Sequence, residues 1–246
     1  TTICIGDSVT LSVDAPDACS GPPPNLQNGL VAWYSMCDNA NDKINGYNGT
    51  LTGGVFNSDR FGNSNSCYKS NGTSSDFITI SHNNDLNPGT GSFTIAGWIK
   101  STDMDVAPIV EKKNNVGYVL WLDNTGNPAF RIEDNDYNKS NAIGNINCAD
   151  GKWHHLAGIR NVMSNQIFLY LDGQLLITST DISVSSIINN TDLYIGKWGG
   201  NSPPWPYFTN GDLDDIGYWS KALNSDEVQQ LYNLGQQNIS WSTGDT

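Results

Sequence analysis

The sequence predicts an all-β fold, a sandwich of two antiparallel sheets with one short helix near the C terminus. Turn signals rich in Asn, Asp and Gly recur every eight to twelve residues over about 200 residues, the spacing typical of such sandwiches. Between the turns, side chains alternate between two faces, as in the segment from Phe93 to Lys100, where Phe93, Ile95, Gly97 and Ile99 are predicted to face opposite to Ala96 and Trp98. Asp172-Gly173 between two such segments is a signal for a hairpin with a type I′ turn.

Composition narrows the class of partner. The chain has 246 residues, enough for one large β domain or two small ones, and a formal net charge of -13 from 25 acidic and 12 basic residues. Nucleic acids and anionic lipids both require a basic patch, so we expect neither as a partner. Because no run of eighteen apolar residues occurs, we also expect no insertion into a membrane.

Five cysteines in a chain of this character indicate an oxidising compartment. We therefore expect an extracellular protein, secreted or attached to the cell surface. The preferred disulfides are Cys4–Cys19, which brackets a predicted hairpin, and Cys37–Cys67, so that Cys148 is left over.

The chain divides into four predicted parts. Residues 1–20 alternate around the Gly6-Asp7 turn, and they resemble the tail of an immunoglobulin-like repeat of secreted multi-modular bacterial proteins. Residues 21–28 hold three consecutive prolines and are predicted to be a stiff, extended linker. Residues 29–236 form the main domain, and residues 237–246 a C-terminal linker. We expect a monomeric module that is tethered to other modules of the same chain.

The main domain is organised around its last strand. Alternation predicts that two sets of residues point to opposite faces of this strand. The first set is Asp214, Ile216 and Tyr218, and the second is Leu213, Asp215, Gly217 and Trp219.

A short helix is predicted after the last strand. Asn224 or Ser225 is suited to cap its N terminus, and Asp226 and Glu227 fall in its positive first turn. Gly235 stands where a helix C-cap belongs.

Asp214 and Asp215 are adjacent carboxylates inside this strand, and such a pair is costly to bury without a positive partner. Because Lys and Arg are scarce, a calcium ion is the expected partner. The Asn/Asp/Gly-rich loop at residues 38–50 offers further oxygen ligands, and we predict that Asp42 and Asn45 are among them. Two alternatives stay open: such loops form turns without any metal, and Asp215 points to water.

Three stretches, in this order, resemble the laminin-G-like, concanavalin A-like jelly-roll domains of bacterial extracellular proteins over residues 29–235. The stretches are Asn39-Ala40-Asn41-Asp42, then Leu86-Asn87-Pro88 with Phe93-Thr94-Ile95, and Gly211-Asp212-Leu213-Asp214-Asp215-Ile216 with Ala222-Leu223. The resemblance implies a lectin-like jelly roll in which Asp214 aligns with a calcium-ligating aspartate of the closing strand. The tripeptide Lys43-Ile44-Asn45 departs from the usual Ser-Gly of the family, which leaves the side-chain ligands of the loop open.

Catalytic patterns are weak. His154 and His155 are adjacent on a predicted strand, so they point to opposite faces and do not bind one metal together. Asp134 and Asp136 share a face, as the paired carboxylates of glycoside hydrolases do, but the neighbouring Glu133 points the other way and the run enters a turn. We therefore predict that the protein is not an enzyme.

Aromatic residues supply the predicted binding site. Prolines in the loop after residue 196 fix the backbone and hold Trp205 and Tyr207 exposed for stacking on sugars, with Trp198 nearby. By parity Trp121 lies on the face of its strand away from the core, and Arg131 joins it from a neighbouring strand. The alternative is that these rings plug the edge of the sandwich.

The function predicted from the sequence is a non-catalytic, calcium-stabilised carbohydrate-binding module of a secreted multi-domain protein. It would bind a polysaccharide or other glycan by aromatic stacking and hydrogen bonds. The alternatives are a cell-surface adhesion module that binds a protein partner, and a glycoside hydrolase of the same fold.

Overall fold

A computed structural model describes residue 19 and residues 21–199 and 207–235. Within these residues, fifteen strands alternate with turns, and two short 3-10 helices and one α-helix complete the fold. The strands are β1 Leu30–Tyr34, β2 Gly49–Thr52, β3 Val55–Asn57, β4 Cys67–Asn71, β5 Phe77–Ile80, β6 Phe93–Lys100, β7 Ala107–Asn114, β8 Val116–Leu122, β9 Pro128–Glu133, β10 Lys139–Ile143, β11 Trp153–Asn161, β12 Gln166–Leu171, β13 Gln174–Thr180, β14 Leu193–Ile195 and β15 Asn210–Trp219. The helix α1 is Ser225–Tyr232, and the 3-10 helices are Pro24–Leu26 and Asn84–Leu86.

The strands form two antiparallel sheets packed face to face. Sheet A has the order β13-β12-β11-β6-β15-β4-β3, and β1 also pairs with β15. Sheet B has the order β10-β9-β8-β7-β14-β5-β2. The predicted β-sandwich with one short C-terminal helix is confirmed. Among the described residues, no helix is long and apolar enough to cross a bilayer.

The core between the sheets follows from the predicted alternation. On β6, Phe93, Ile95 and Ile99 belong to the core, whereas Ala96 packs on the outer side of sheet A. The ring of Phe93 lies 5.0 Å from that of Tyr118 on sheet B and 6.0 Å from that of Tyr218 on sheet A. These aromatic contacts join the two sheets, and truncating such a buried ring to Ala costs about 3–5 kcal/mol.

The closing strand β15 departs from simple alternation. Asp214 lies opposite Trp98, but Gly217 lies opposite Ala96, so β15 has one more residue than β6 between these two pairs. This β-bulge includes Asp215, which has a positive φ of 47°. An extra residue reverses the parity of everything beyond it.

The predicted faces of β15 are therefore wrong. Leu213, Ile216 and Tyr218 all lie in the core, whereas Asp214 pairs with the outward-facing Trp98. Asp214 does not share a face with Ile216 and Tyr218.

Helix α1 begins as predicted. The Asn224 side chain accepts a hydrogen bond from the Glu227 N–H, and the Glu227 side chain accepts one from the Asn224 N–H, so the two form a capping box. Val228 and Leu231 are buried against the outer face of sheet A. The C-cap is Asn233 instead of the predicted Gly235.

The disulfide joins Cys19 to Cys37. Both preferred pairings are therefore wrong, because each required one of these two residues to bond elsewhere. Cys67 starts a sheet strand and has a buried free thiol, whose Sγ lies 3.2 Å from the carbonyl oxygen of Ser58. Cys148 is also buried and free, as predicted, and Cys4 lies outside the described residues.

The predicted linker packs onto the domain. Pro24–Leu26 form a turn of 3-10 helix, Leu26 is fully buried, and its carbonyl accepts a hydrogen bond of 2.7 Å from Trp219 Nε1. Apart from Cys19, the predicted immunoglobulin-like tail at residues 1–20 lies outside the described residues, as does the predicted C-terminal linker at residues 237–246.

Candidate functional site

An open cleft of about 800 Å³ lies beside the outer face of sheet B. Its lining includes Trp121, Arg131, Trp198 and Tyr207, four of the five residues predicted from the sequence to bind carbohydrate. The fifth, Trp205, lies outside the described residues. We call this feature the aromatic cleft. Its part in binding stays a prediction.

Two neighbouring strands supply the floor of the aromatic cleft. On β8, Leu120 and Leu122 belong to the core, so Trp121 faces outward, as predicted from parity. Arg131 on the adjacent β9 extends its guanidinium to 5.3 Å from the centre of the Trp121 ring. A guanidinium over an indole ring and within about 6 Å of its centre forms a cation–π pair.

The loop that follows β14 supplies one wall. Trp198 meets Trp121 edge to face at 5.5 Å, and Tyr207 lies 6.0 Å from Trp198. The Trp198 N–H donates to the Tyr207 carbonyl, which closes the two ends of this loop on each other. Trp121 is only 4% exposed, whereas Trp198 and Tyr207 are half-buried. Trp121 is thus packed as part of the floor, and Trp198 and Tyr207 retain ring surface for a ligand.

Polar groups stand around these rings. Arg131 Nε donates to Asn141 Oδ1 at 2.6 Å, and burial lowers the pKa of the guanidinium. Asp105 and Asn124 are exposed on the rim of the aromatic cleft. The site therefore combines flat apolar rings with hydrogen-bond donors, such as Arg131, and hydrogen-bond acceptors, such as Asp105.

Glu111, on β7 of the same sheet, was not identified from the sequence. It is fully buried beside the loop and accepts a hydrogen bond from the Gly199 N–H. Burial raises the pKa of Glu111 to about 8, against the opposing effect of that hydrogen bond and of Lys113 and Lys197. Glu111 lies opposite the outward-facing Val119, beyond an irregularity of β7 between Pro108 and Val110. Neither this irregularity nor the position of the loop that covers Glu111 is marked by the local sequence pattern.

Of the two carboxylates considered for hydrolysis, that of Asp134 stabilises a turn. Asp134 accepts hydrogen bonds from the backbone N–H groups of Asp136, Asn138, Val184 and Ser185 at 2.7–2.9 Å. Burial alone raises the pKa of Asp134, but these bonds outweigh it and lower the pKa to about 2. A glycosidase needs one acid that is held protonated, and this aspartate is held ionised.

The adjacent histidines point in opposite directions, as predicted. His155 is buried against the Trp98 ring at 5.3 Å, and burial lowers its pKa to about 3. His154 lies between Asp172 and Asp150, with ring nitrogens 2.8 and 3.2 Å from their carboxylate oxygens. The hydrogen bond to Asp172 raises the pKa of His154.

The Asp42 carboxylate is saturated by the backbone. Oδ1 accepts from the N–H groups of Trp33 and Ile44, and Oδ2 accepts from those of Asn45 and Tyr47, at 2.9–3.1 Å. The Asn45 side chain donates to the Val31 carbonyl at 2.8 Å. Both predicted loop ligands thus stabilise the turn itself, which is the alternative left open above.

The two aspartates of the closing strand have a different cation from the one predicted. Arg60 donates to Asp214 Oδ2 at 2.6 Å and to Asp215 Oδ2 at 2.7 Å, and all three side chains are buried. The guanidinium also lies 4.5 Å from the Trp98 ring. Burial still raises the pKa of Asp215 to about 6 and that of Asp214 well above its ordinary value.

The four predicted ligands therefore do not fit one calcium ion. Arg60 stands where the ion was expected, and Asp42 has no oxygen without a backbone donor. In the part of the chain that the structure describes, no group of three or more His, Cys, Asp and Glu side chains is arranged to hold a metal. Asp215 does not point to water, because it is 5% exposed and bound to Arg60.

Solved structures share this fold. The binding domain of Paraclostridial Mosquitocidal Protein 1 has a TM-score of 0.72 at 22% identity, over 85% of this chain and 52% of that one. The ligand-binding domain of botulinum neurotoxin serotype D, in complex with N-acetylneuraminic acid, has a TM-score of 0.64 at 19% identity, over 85% and 51%. The binding domain of botulinum neurotoxin DC, in complex with rat synaptotagmin II, has a TM-score of 0.63 at 18% identity, over 85% and 52%.

The chain thus spans about half the length of these binding domains. At such identities the similarity shows the fold alone. No curated protein matches the sequence significantly.

A sequence family does match. Residues 71–229 fit a laminin G family whose description is the concanavalin A-like lectin/glucanases superfamily. The matched region covers more than half of the 246 residues, and the two antiparallel sheets are those the resemblance implied. The chain therefore belongs to the laminin G family of the concanavalin A-like lectin/glucanases superfamily.

Proposed function

We propose that this chain is a non-catalytic carbohydrate-binding module and that the aromatic cleft holds the glycan. The observation that carries the proposal is the convergence of Trp198, Tyr207, Trp121 and Arg131, from three separate parts of the sequence, on one open cleft.

Size and chemistry of the aromatic cleft support a sugar ligand. Small-molecule sites enclose about 300–1,000 Å³, and the aromatic cleft, at about 800 Å³, falls within that range. Sugar rings have apolar C–H faces that stack on aromatic rings, as well as hydroxyl groups that exchange hydrogen bonds with groups such as Asn124 and Asp105. The rigid attachment of Trp198 to Tyr207 lowers the entropy lost on binding.

The structural neighbours give further support. The solved domains described above are named as binding domains, and one of them holds N-acetylneuraminic acid. A non-catalytic role agrees with the ionised, turn-bound state of Asp134.

We further propose that the protein is secreted and that this chain is a monomeric module tethered to other modules of the same protein. The Cys19–Cys37 disulfide supports an oxidising compartment. Calcium is not part of the proposal, because the predicted ligands do not fit one ion.

Affinity electrophoresis against plant and algal polysaccharides tests the proposal. We expect at least one polysaccharide to retard the protein, and Trp198→Ala to abolish the retardation. The matched control is Tyr137→Asn, which removes an exposed ring at a site of positive φ that Asn tolerates. Equal retardation of Trp198→Ala and the wild type would exclude the aromatic cleft, and a panel without any retardation would contradict carbohydrate binding.

A second candidate function is adhesion to a protein partner. Three exposed apolar side chains on loops favour it, namely Tyr137, Val184 and Met163, which are 67%, 80% and 92% exposed. The neurotoxin domain bound to synaptotagmin II is a structural neighbour with a protein ligand. If a surface protein is captured by the wild type and by Trp198→Ala but not by Tyr137→Asn, adhesion replaces carbohydrate binding.

A further inference from the structure

We propose that the aromatic cleft selects sugars that carry a carboxylate, as uronic and sialic acids do, and that Arg131 binds that carboxylate. This inference rests on the proposed function and names the class of glycan. It starts from the distribution of positive charge over the molecule.

Most of the cations in this chain have a carboxylate partner. Of the twelve Lys and Arg residues, four have no carboxylate oxygen within 4.0 Å among the described residues: Lys43, Lys112, Arg131 and Lys197. The chain has about twice as many acidic as basic residues, so these four unpaired cations are the candidates for binding an acidic ligand.

Three of the four do not line the aromatic cleft. Lys43 is exposed in the loop after β1. Lys112 is fully buried, and its Nζ donates to the Thr191 carbonyl at 2.6 Å. Lys197 lies over the rings of Phe77 and Tyr194, at 4.2 and 4.4 Å. Among the described residues, Arg131 is thus the one cation that faces the ligand space.

The guanidinium of Arg131 is fixed and still has free donors. Asn141 accepts a hydrogen bond from Nε, and the guanidinium carbon lies 5.3 Å from the centre of the Trp121 ring. The two terminal nitrogens have no hydrogen-bond acceptor among the described residues. A guanidinium presents two parallel N–H groups that match the two oxygens of a carboxylate, and a fork fixed in advance loses little entropy when it binds. Burial also lowers the pKa of Arg131, which means that keeping the buried guanidinium charged costs free energy. An anionic ligand would offset part of that cost.

Two aspartates in the lining set a limit on the charge of the ligand. The Asp123 carboxylate stabilises the turn that follows it, where Oδ1 accepts hydrogen bonds from the N–H groups of Thr125 and Asn127 at 2.8 and 3.0 Å. Asp105 is exposed on the rim and suits a sugar hydroxyl. Together with the net charge of -13, these two carboxylates repel a densely sulfated chain more than a chain with one carboxylate per ring.

The test uses pairs of ligands that differ in charge alone. Polygalacturonate is compared with its methyl ester, and sialyllactose with the methyl ester of its carboxyl group, which separates a uronic from a sialic source. We expect the wild type to bind the charged member of at least one pair tenfold or more tightly, and the preference to shrink as salt is added. Arg131→Gln should lose the preference, Arg131→Lys should keep part of it, and Lys43→Gln, which removes an exposed unpaired cation elsewhere, should keep all of it.

The outcomes separate this inference from the proposed function. Equal binding of charged and neutral members by the wild type, or an undiminished preference in both Arg131 variants, overturns the role of Arg131 and leaves carbohydrate binding intact when Trp198→Ala loses both ligands. If no charged or neutral glycan binds at all, both proposals are overturned. A melting temperature of each variant close to that of the wild type shows that the change acts on the ligand and not on folding.

Discussion

Arg60 is the residue on which the closing strand depends. It forms ion pairs with Asp214 and Asp215, lies over the Trp98 ring, and donates to the Leu234 carbonyl after helix α1 at 3.2 Å. One side chain therefore joins the bulge of β15 to the end of the helix. It does what the sequence led us to expect of a calcium ion.

Replacing Arg60 should be severe. We expect Arg60→Leu to lower the free energy of unfolding by about 3–5 kcal/mol, because it leaves two buried carboxylates without a counter-ion. Urea denaturation measures this. The matched control is Lys152→Leu, which breaks an exposed ion pair with Asp150 and should cost less than about 1 kcal/mol.

The same cluster gives a test of calcium. With Arg60 in place, we expect EDTA to leave the melting temperature of the wild type unchanged. A fall in melting temperature with EDTA that calcium reverses would show that another set of oxygens holds the ion.

Glu111 makes stability depend on pH. Its pKa is raised from 4.5 to about 8, so between these values the folded protein holds a proton that the unfolded chain has released. Stability from this group therefore falls as pH rises through that window, by up to about 1.4 kcal/mol per pH unit, and levels off above it. We expect Glu111→Gln to flatten this slope in denaturant melts at several pH values. His154, whose pKa is also raised, contributes a slope of the same sign, so the comparison with the variant is what isolates Glu111. An unchanged slope in the variant would refute this account.

At the scale of elements, alternation predicts the inner and outer faces of regular strands but not those of β15, which has a bulge. Alternation correctly predicts the inner and outer faces of β6 and β8, which pair regularly with β11 and β9. It fails on β15, because one inserted residue reverses the faces and nothing in the local pattern marks Asp215 as the residue of positive φ.

Helix α1 is an element whose start is set by local sequence. We expect Asn224→Ala to cost about 1 kcal/mol, because it removes the side chain that accepts from the Glu227 N–H. Asn224→Ser retains a capping oxygen and is the matched control. Equal stability of the two variants in urea would show that packing of Val228 and Leu231, not the cap, decides where the helix starts.

Long-range contacts explain most of what the sequence did not predict. Arg60 and Asp214 are 154 positions apart, and the segment Asp59-Arg60-Phe61-Gly62 has no local feature that links it to a distant strand. The Cys19–Cys37 bond similarly depends on how the segment before β1 folds back, which proline content alone predicted incorrectly. The aromatic cleft was predicted more fully, because strand parity for Trp121 and the aromatic composition of the loop are both local signals.

At the scale of the whole molecule, the two outer faces of the sandwich differ. The outer face of sheet A is covered by Pro24–Leu26 and helix α1, which bury Trp33 and Trp219 beneath them. The outer face of sheet B has a smaller apolar cluster, Val119, Trp121 and Ala129, at the floor of the open cleft. Within the described residues, sheet B is thus the side with room for a ligand.

The position of the bound glycan is the most direct test of this account. A crystal structure of the protein soaked with an oligosaccharide of a polysaccharide that retards it should show a sugar ring against Trp198 and Tyr207. The account further predicts a carboxylate of that ligand within hydrogen-bonding distance of the terminal nitrogens of Arg131. A sugar bound on another surface, with the aromatic cleft empty, would contradict the assignment of the binding site.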